Sequence, residues 1–429
     1  MKKQTKVSMV NMGCKVNQYE CDTIAGILAG SGFSVAFGLV SADIYFVNTC
    51  AVTNEGERKS RNVLTKLVKL NPNAKIYVAG CASENNKSHF ESHPNVVYVI
   101  GTENKTRIAQ KICEDYGVKM QINNTHISNR TRGVLKCQDG CNNFCTYCLI
   151  PYLRGREKSR PLDELYSELL SMQKSGVHEV VLAGINLSGY GTDFSDGTSL
   201  VDVAKLFEKL HKETNKDNGI IRYRFSSLEV GIITKEFLEY LSNDKYFCPH
   251  FHLSMQSGSN NTLKKMNRHY TKEEYLQKIE LIRKYFPLAA ITTDVIVGFP
   301  TETEEDFEET FETCKKANFF EMHVFPYSKR EGTVASKMKT VAINVKDRVW
   351  KLKNLSADNH DNFIEQNIKA SGFYDVIIET TEGDYCTAHT NNYIKCYIKK
   401  DEKSNLENNQ IIRVKLKKQL LDGVVAQKV

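Results

Sequence analysis

Three cysteines lie within eight residues in the sequence CNNFCTYC, which contains Cys141, Cys145 and Cys148. Their thiolates could converge on one metal centre. A structural zinc site usually has four ligands in two pairs, and the chain offers no second Cys-x-x-Cys pair. Three thiolates on a 4Fe-4S cluster would instead leave one iron without a protein ligand, which is typical of a reactive centre. Cys137 lies four residues upstream in a predicted strand and is expected to pack in the core.

A second set of three cysteines follows from the predicted topology. Cys14, Cys50 and Cys81 are far apart in sequence, yet each comes at the end of a predicted strand. In an open α/β sheet the carboxyl ends of the strands share one edge, and ligands bind there. The three thiols are therefore expected to meet and to leave one position of a second centre vacant. On position alone, three buried strand-end cysteines are an equally good interpretation, and the presence of the first set favours ligation.

The elements that must position these cysteines fall into three predicted domains. Residues 1–118 alternate strands and helices, which predicts a doubly wound parallel sheet, and the polar residues 119–132 are typical of a linker. Residues 133–365 contain six strand units, two fewer than a closed (β/α)₈ barrel, and predict a partial (β/α)₆ barrel open on one side. Residues 366–429 predict five short strands in a small antiparallel β-barrel, a shape often used to bind nucleic acid. The strands of the middle domain are expected at 133–137, 179–184, 220–229, 250–257, 289–298 and 319–328.

Composition excludes several classes of protein. The chain has 429 residues, of which 41% are hydrophobic and 25% charged, as in ordinary folded proteins. Lys and Arg exceed Asp and Glu by only 7, so a basic surface must come from local clustering. No apolar run approaches the roughly 18 residues of a membrane helix, and the first residues lack a signal peptide's apolar core. The 13 cysteines are an odd number in a large chain, which disfavours a disulfide framework. A cytoplasmic protein with no membrane partner is expected.

These motifs together resemble the methylthiotransferases of the radical S-adenosylmethionine (SAM) superfamily. The resemblance covers nearly the whole chain. It rests on the CxxxCxxC motif at Cys141 and on the segments GCKVNQYE, NTCAVTNEGERKSR, AGC and PYLRGREKSRP. The branch that acts on threonylcarbamoyladenosine at tRNA position 37 is the most similar, through the segments SSLE, FHLSMQSGSNNTLKKMNRHYT and ITTDVIVGFPTETEEDF. The family commonly has glycine where this chain has Thr301, and proline where it has Val230.

The resemblance implies the cofactors and their ligands. Cys141, Cys145 and Cys148 would hold a 4Fe-4S cluster whose fourth iron binds the amino and carboxylate groups of SAM. Electron transfer would then release a 5′-deoxyadenosyl radical, which is needed because the C–H bond at adenine C2 has no useful acidity. A second 4Fe-4S cluster would be held by Cys14, Cys50 and Cys81 and would carry the sulfur, while a second SAM supplies the methyl group. A flavodoxin-type or ferredoxin-type electron donor and a sulfur or cluster supply protein are the expected partners.

Strand ends of the partial barrel are expected to line the SAM site. For Asn186 and Gly298 an ordinary turn after a strand is an equally good interpretation. The candidate cofactor-binding residues are Asn186, Glu229, Gln256, Ser257, Val297 and Gly298.

Basic residues near the cysteines are candidates for tRNA contacts. Runs of charged residues usually lie on solvated surfaces. Here, however, the run from Arg154 to Arg160 and the run at Arg58 each flank an expected cluster. The last domain, from Lys395 to Val429, carries nine Lys and Arg against four Asp and Glu. Such cations could neutralise RNA phosphates. The candidates are Arg154, Arg156, Lys158, Arg160, Arg58, Lys415 and Lys417.

Three functions stay open at this point. The leading hypothesis is methylthiolation of threonylcarbamoyladenosine-37 in tRNA. The second keeps the chemistry and changes the substrate to isopentenyladenosine-37 or to an aspartate of a ribosomal protein. The third is an iron–sulfur or zinc protein that binds RNA without catalysis.

Overall fold

The structure is a computed structural model that describes residues 4–121, 131–214, 219–381, 383–400 and 406–429. Residues 122–130, most of the expected linker 119–132, lie outside the described residues. Among the described residues no helix combines the length and the apolar character needed to cross a membrane.

A five-stranded parallel sheet forms the amino-terminal domain, as the strand–helix alternation predicts. The strands lie in the order β2-β1-β3-β4-β5. The sequence did not predict β2, because its four residues are all only half-buried and too few to show a pattern. The strands are β1 (Lys6–Asn11), β2 (Ser34–Phe37), β3 (Ile44–Thr49), β4 (Lys75–Gly80) and β5 (Val96–Val99).

Helices cover both faces of this sheet, which is therefore doubly wound. On one face Met9 and Phe46 pack against Ile24 and Ile108. On the other face residues of the same strands pack against α2 and α4. The helices are α1 (Lys15–Gly30), α2 (Asn54–Leu70), α3 (Cys81–Asn85), α4 (Lys87–Glu91) and α5 (Arg107–Asp115).

The middle domain is the predicted partial barrel. Its parallel strands form two hydrogen-bonded groups, β6-β9-β10 and β11-β12-β13-β14. The expected strand 220–229 is interrupted at Ser226, so that its first half pairs with β9 and its second half with β12. A short antiparallel pair, β7 with β8, was not expected. The strands are β6 (Arg132–Lys136), β7 (Gln138–Asp139), β8 (Lys158–Ser159), β9 (Glu179–Ala183), β10 (Arg222–Phe225), β11 (Ser227–Leu228), β12 (His250–Leu253), β13 (Ala290–Val297) and β14 (Glu321–Pro326).

Helices cover the outer face of the partial barrel, and the inner face lines its lumen. Successive side chains of a strand point to opposite faces. On β13, Ile291 and Val295 belong to the main core beneath the helices, so Thr292 and Asp294 face the lumen. The helices are α6 (Ile150–Leu153), α7 (Leu162–Lys174), α8 (Leu200–Thr214), α9 (Lys235–Asn243), α10 (Asn260–Lys265), α11 (Lys272–Tyr285), α12 (Glu304–Ala317) and α13 (Val345–Lys369).

The carboxyl-terminal barrel is closed, as predicted, with strands in the order β15-β16-β17-β19-β18. Its pairs are antiparallel except for β17 with β19, which is parallel. Alternate residues such as Val376, Ile378 and Val414 fill its interior. The strands are β15 (Phe373–Thr380), β16 (Tyr385–His389), β17 (Lys395–Lys399), β18 (Ile411–Leu420) and β19 (Gly423–Lys428).

A buried ionic cluster joins the carboxyl-terminal barrel to the amino-terminal ends of the partial-barrel strands. Glu179, the first residue of β9, is fully buried and bonds to Arg132, Arg222 and Arg224. Burial alone would raise the pKa of Glu179, but the three guanidinium groups hold it well below its ordinary value. Arg222 also donates to two backbone carbonyls of the carboxyl-terminal barrel, at 2.7 and 3.0 Å. This end of the lumen is therefore closed, and the cysteines lie at the opposite end.

The amino-terminal domain lies across the open side of the partial barrel. The edge strands of that barrel are β6 and β14. Next to β6, Val16 of α1 packs against Val134. Beyond β14, the backbone N–H of Asn54 donates to the Ser328 hydroxyl at 2.9 Å, and Arg330 pairs with Glu57. The sheet edge that carries the second set of cysteines is thereby placed beside the lumen.

Candidate cluster and cofactor sites

The first cysteine set, Cys141, Cys145 and Cys148, lies on the loop between β7 and α6. Its backbone is fixed at two points. The N–H of Cys141 donates to the carbonyl of Gly155 at 3.1 Å, and the Thr146 hydroxyl donates to the carbonyl of Lys265 at 2.8 Å. The loop is therefore tied to α10 of the barrel, which keeps its three sulfur atoms at the open end of the lumen.

Each sulfur atom of this loop accepts a hydrogen bond. The donors are the backbone N–H of Asn143 to Cys141 at 3.5 Å, the N–H of Ile150 to Cys148 at 3.4 Å, and the Arg268 guanidinium to Cys145 at 3.4 Å. Such donors stabilise thiolates. Burial nevertheless raises the pKa of the Cys141 thiol to about 11 and that of the Cys148 thiol to about 12. A bound metal would deprotonate the thiols that coordinate it.

The second set comes together at the edge of the amino-terminal sheet. Cys14, Cys50 and Cys81 follow β1, β3 and β4, which are adjacent parallel strands. The pKa of the Cys50 thiol is raised to about 11, first by burial and also by the nearby thiols of Cys81 and Cys14. Gly80 has a φ of +117°, and a Cβ at this position would lie 2.5 Å from the carbonyl oxygen of Thr49. Glycine is needed there because β3 and β4 approach closely just before Cys81.

Arg154 contacts the second cysteine set. It follows the first loop in sequence, and its Nε donates to the sulfur of Cys81 at 3.3 Å. Its other nitrogens bond to Asn17 at 2.8 Å and to the carboxylates of Glu20 and Asp139 at 3.1 Å. The side chain is only 1% exposed. The first loop leads into α6, which begins two residues after Cys148, and Ile150 and Leu153 of this helix pack against the core cluster that contains Cys81.

Two expected SAM-site residues lie beside the first loop. Glu229 accepts from Asn143 of that loop at 3.4 Å and is paired with Arg268. The amide of Asn186 donates to Glu157 at 2.7 Å, and Glu157 also accepts from residues of the loop and of the turn after β9. Sequence reasoning missed Glu157 because it stands in a run of basic residues. It also missed Arg268, which lies far from the motif in sequence.

The other expected SAM-site residues lie at the ends of β12 and β13. Gln256 has a φ of +65°, and its N–H donates to the carbonyl of Asp294 at 2.8 Å. Ser257 is fully buried, and its hydroxyl lies 3.1 Å from that of Thr310 on α12, which directs it away from the lumen. The side chain of Val297 is buried, and the N–H of Gly298 donates to Glu302 at 2.7 Å. The structure does not bring these four residues into contact with the cysteine loop.

Comparisons with known proteins agree with this arrangement. Residues 135–314 match the Radical SAM superfamily, and residues 6–101 match the Uncharacterized protein family UPF0004. The threonylcarbamoyladenosine tRNA methylthiotransferase MtaB of Bacillus subtilis (strain 168) is 36% identical over 436 residues, which cover 96% of this chain and 94% of that protein. The chain belongs to the radical SAM methylthiotransferase family. This membership favours an enzyme over a non-catalytic RNA-binding protein.

Other relatives of this methylthiotransferase differ in their named substrate. The tRNA-2-methylthio-N(6)-dimethylallyladenosine synthase of Thermotoga petrophila is 36% identical over 357 residues, which cover 80% of this chain and 79% of that protein. Among solved structures, the radical SAM methyltransferase TsrM from Kitasatospora setae has a TM-score of 0.54 at 14% identity, covering 89% of this chain and 82% of that chain. At this identity the likeness shows a shared fold.

Membership of the radical SAM superfamily implies SAM and a 4Fe-4S cluster, and the cysteine loop fits such a group. A single zinc ion would hold sulfur atoms about 3.8 Å apart, given Zn–S bonds of roughly 2.3 Å. In neither cysteine set do all three sulfur atoms lie within 4.8 Å of one another. A wider separation suits a cluster, because each cysteine then binds a different iron.

The five expected RNA contacts outside the carboxyl-terminal barrel fall into three groups. Arg156 and Lys158 are exposed and line a cavity of about 500 Å³ beside α1 and residues 102–106. Arg160 is partly buried and pairs with Glu168 at 2.8 Å, while Arg58 is exposed and pairs with Glu55 at 2.7 Å. Arg154 requires a correction, because its side chain is only 1% exposed and is paired with Glu20 and Asp139, so that it is not free to bind a phosphate.

Thr301, where the family commonly has glycine, occupies a strained position. Its φ of +75° is in the left-handed region, which β-branched residues avoid. Its buried hydroxyl has no hydrogen-bond partner among the described residues. We expect Thr301→Gly to raise the free energy of unfolding by about 1 kcal/mol, because release of this strain exceeds the added flexibility of the unfolded chain. Urea unfolding of the purified chain measures the change.

The matched control for this substitution is Thr303→Ala in the same loop. The Thr303 hydroxyl caps α12 by accepting from the N–H of Asp306 at 3.2 Å. Loss of this cap should lower stability by about 1 kcal/mol. A Thr301→Gly variant that is destabilised to a similar extent would show that Thr301 is not strained.

Proposed function

We propose that this chain adds a methylthio group to C2 of N6-threonylcarbamoyladenosine at position 37 of tRNA, using two 4Fe-4S clusters and two molecules of SAM. The observation that carries the proposal is the presence of two sets of three cysteines, joined by the packing of α6, which follows the first loop, against the core cluster that contains Cys81. One set belongs to the radical SAM loop, and the other lies on the sheet edge across the open side of the barrel. Two such centres in one chain suit a reaction that both removes a hydrogen and inserts a sulfur.

The residues of this chain have distinct parts in that reaction. When bound, the cluster and SAM supply the radical chemistry that an unactivated C–H bond requires. The Arg268 guanidinium and the backbone donors of the loop hold the thiolates in place, and Asn186 and Glu229 are placed to bind polar groups of SAM. The amino-terminal domain covers the open side of the barrel, which restricts water around the reacting groups.

The choice of threonylcarbamoyladenosine over isopentenyladenosine rests on identity: over 96% of the chain, a relative named for the former is 36% identical and a relative named for the latter is 32% identical. Nucleoside analysis of tRNA from a strain that lacks this protein tests the choice. We expect the methylthio derivative of threonylcarbamoyladenosine to disappear while that of isopentenyladenosine is unchanged. Loss of the isopentenyladenosine derivative alone would reassign the substrate, and loss of neither would point to a protein substrate such as a ribosomal aspartate.

The carboxyl-terminal barrel is proposed to bind the tRNA through Lys415 and Lys417 of β18. Lys417 is exposed, and Lys415 lies on the same strand two residues before it. We expect the double change of these lysines to glutamate to weaken tRNA binding and to reduce the slope of log K against log salt by about 1 to 2, because each lost phosphate contact contributes roughly 0.7 to 0.9. Binding titrations between low and moderate salt measure the slope.

The control for this variant is the same charge change at Lys315 and Lys316. Both residues are exposed on the outer helix α12 and belong to the partial barrel rather than to the carboxyl-terminal barrel. Their replacement by glutamate should leave the salt slope almost unchanged. Equal slopes for the β18 variant and the unaltered protein would remove this strand from the RNA interface.

Three further points stay predictions of the proposed function. The electron donor is of flavodoxin or ferredoxin type, a second protein supplies sulfur or clusters, and the protein is cytoplasmic.

A further inference from the structure

Three potential metal ligands face one another on adjacent strands of the partial barrel. They are His252 of β12, Asp294 of β13 and His323 of β14. Their ligand atoms all lie within 4.8 Å of one another, and among the described residues this is the one group of three or more His, Cys, Asp or Glu with that property. None of these residues belongs to either cysteine set.

Strand geometry places the group in the lumen. Asp294 is paired in register with His323, and His252 with Thr292, across parallel strands. The neighbours of these residues along each strand, among them Leu253 and Val295, are buried beneath the outer helices. Because side chains alternate between faces, the three ligands point to the inner face of the sheet.

The imidazole of His252 is already oriented as a metal ligand. Its Nδ1 lies 2.9 Å from the Thr292 hydroxyl, and its Nε2 lies 3.3 Å from the carboxylate of Asp294. A metal-binding histidine usually uses its second nitrogen in a hydrogen bond of this kind. Ligand atoms of a tetrahedral zinc ion with bonds of about 2.0 Å lie roughly 3.3 Å apart, so the two atoms need little movement.

The types of ligand atom and the exposure of the three side chains indicate which kind of metal ion would bind. Two imidazole nitrogens and one carboxylate oxygen suit zinc and similar transition metals, whereas magnesium prefers oxygen ligands alone. The exposed fraction of the side chain rises from 13% for His252 to 28% for Asp294 and 45% for His323. The remaining coordination positions would therefore face the open lumen.

We propose that His252, Asp294 and His323 bind one divalent transition-metal ion of the zinc class on the floor of the lumen. Three protein ligands with an open position are typical of zinc sites that take part in chemistry. The open position would take water or an anionic oxygen of the molecule in the lumen. Ser254, two residues after His252, accepts from Arg268 at 2.9 Å, and Arg268 also bonds to Cys145. The ion would therefore lie beneath the first cysteine loop.

The test uses the full-length protein with its iron–sulfur clusters reconstituted, so that iron occupies the cysteines. After treatment with a chelator, the protein is dialysed against zinc, and bound zinc is measured by elemental analysis and X-ray absorption. We expect one zinc per chain with nitrogen and oxygen neighbours at about 2.0 Å. Absence of zinc, or zinc with sulfur neighbours at about 2.3 Å, would overturn the proposal.

Variants identify the site. His323→Ala is expected to fold, because this side chain is largely exposed, and to lose the bound zinc. Thr292→Val keeps the shape of the side chain and should weaken zinc binding by about 10-fold to 100-fold, through the orientation of His252. The control His89→Ala removes an exposed histidine of α4 and should leave zinc binding unchanged. Retention of full zinc affinity by His323→Ala would contradict the proposal.

Discussion

Replacement of Cys141, Cys145 and Cys148 by alanine is expected to abolish reductive cleavage of SAM. The physical reason is that these thiols are the proposed cluster ligands on the loop, and that an electron would reach SAM only through a bound cluster. The measurement is the amount of 5′-deoxyadenosine formed by anaerobically reconstituted protein with a reductant. We expect no product above the level found without protein, together with loss of about four of roughly eight irons per chain.

The matched control is Cys137→Ala. Cys137 stands four residues before the loop, but it is fully buried in the main core. Its replacement should retain both the iron content and the formation of 5′-deoxyadenosine. Persistent cleavage of SAM in the triple variant would show that the radical centre lies elsewhere.

Replacement of Cys14, Cys50 and Cys81 by alanine is expected to separate the two halves of the reaction. Cleavage of SAM should continue, because the first cysteine loop is intact. No methylthio product should form, because in the proposed reaction the sheet edge would no longer hold the second cluster. Iron content should again fall from about eight to about four per chain. Parallel assays of 5′-deoxyadenosine and of modified tRNA nucleosides distinguish the two effects.

Cys113→Ala controls for damage to the amino-terminal domain. Cys113 is buried on α5, away from the sheet edge that carries the three cysteines. We expect this variant to keep both activities and the full iron content. Formation of the methylthio product by the triple variant would contradict the assignment of a second cluster to these residues.

Much of the fold could be predicted from sequence because strand ends and turns carry local signals. The alternation of strands and helices placed Cys14, Cys50 and Cys81 after three strands, and parallel pairing brings those strand ends to one edge. The six units of the barrel and the closed barrel after Gly372 follow from the same patterns. The short strand β2 and the interruption at Ser226 have no comparable signal, because they depend on pairing with distant strands.

The residues around the cysteines were harder to predict, because the sequence does not show which group a charged side chain pairs with. Arg154 stands in a basic run that indicated an RNA contact, yet it is buried against Glu20 and Asp139. Glu157 belongs to the same run and is held by Asn186. The partners of both residues come from other elements and are brought close only by the tertiary fold.

The most direct test of the central claim is mass spectrometry of nucleosides from tRNA that carries threonylcarbamoyladenosine at position 37. The tRNA is incubated with reconstituted protein, a reductant and SAM, and parallel samples omit SAM or carry isopentenyladenosine. We expect the 2-methylthio derivative of threonylcarbamoyladenosine in the complete reaction and no methylthio product in the other samples. Conversion by an iron-free preparation, or conversion of isopentenyladenosine in its place, would contradict it.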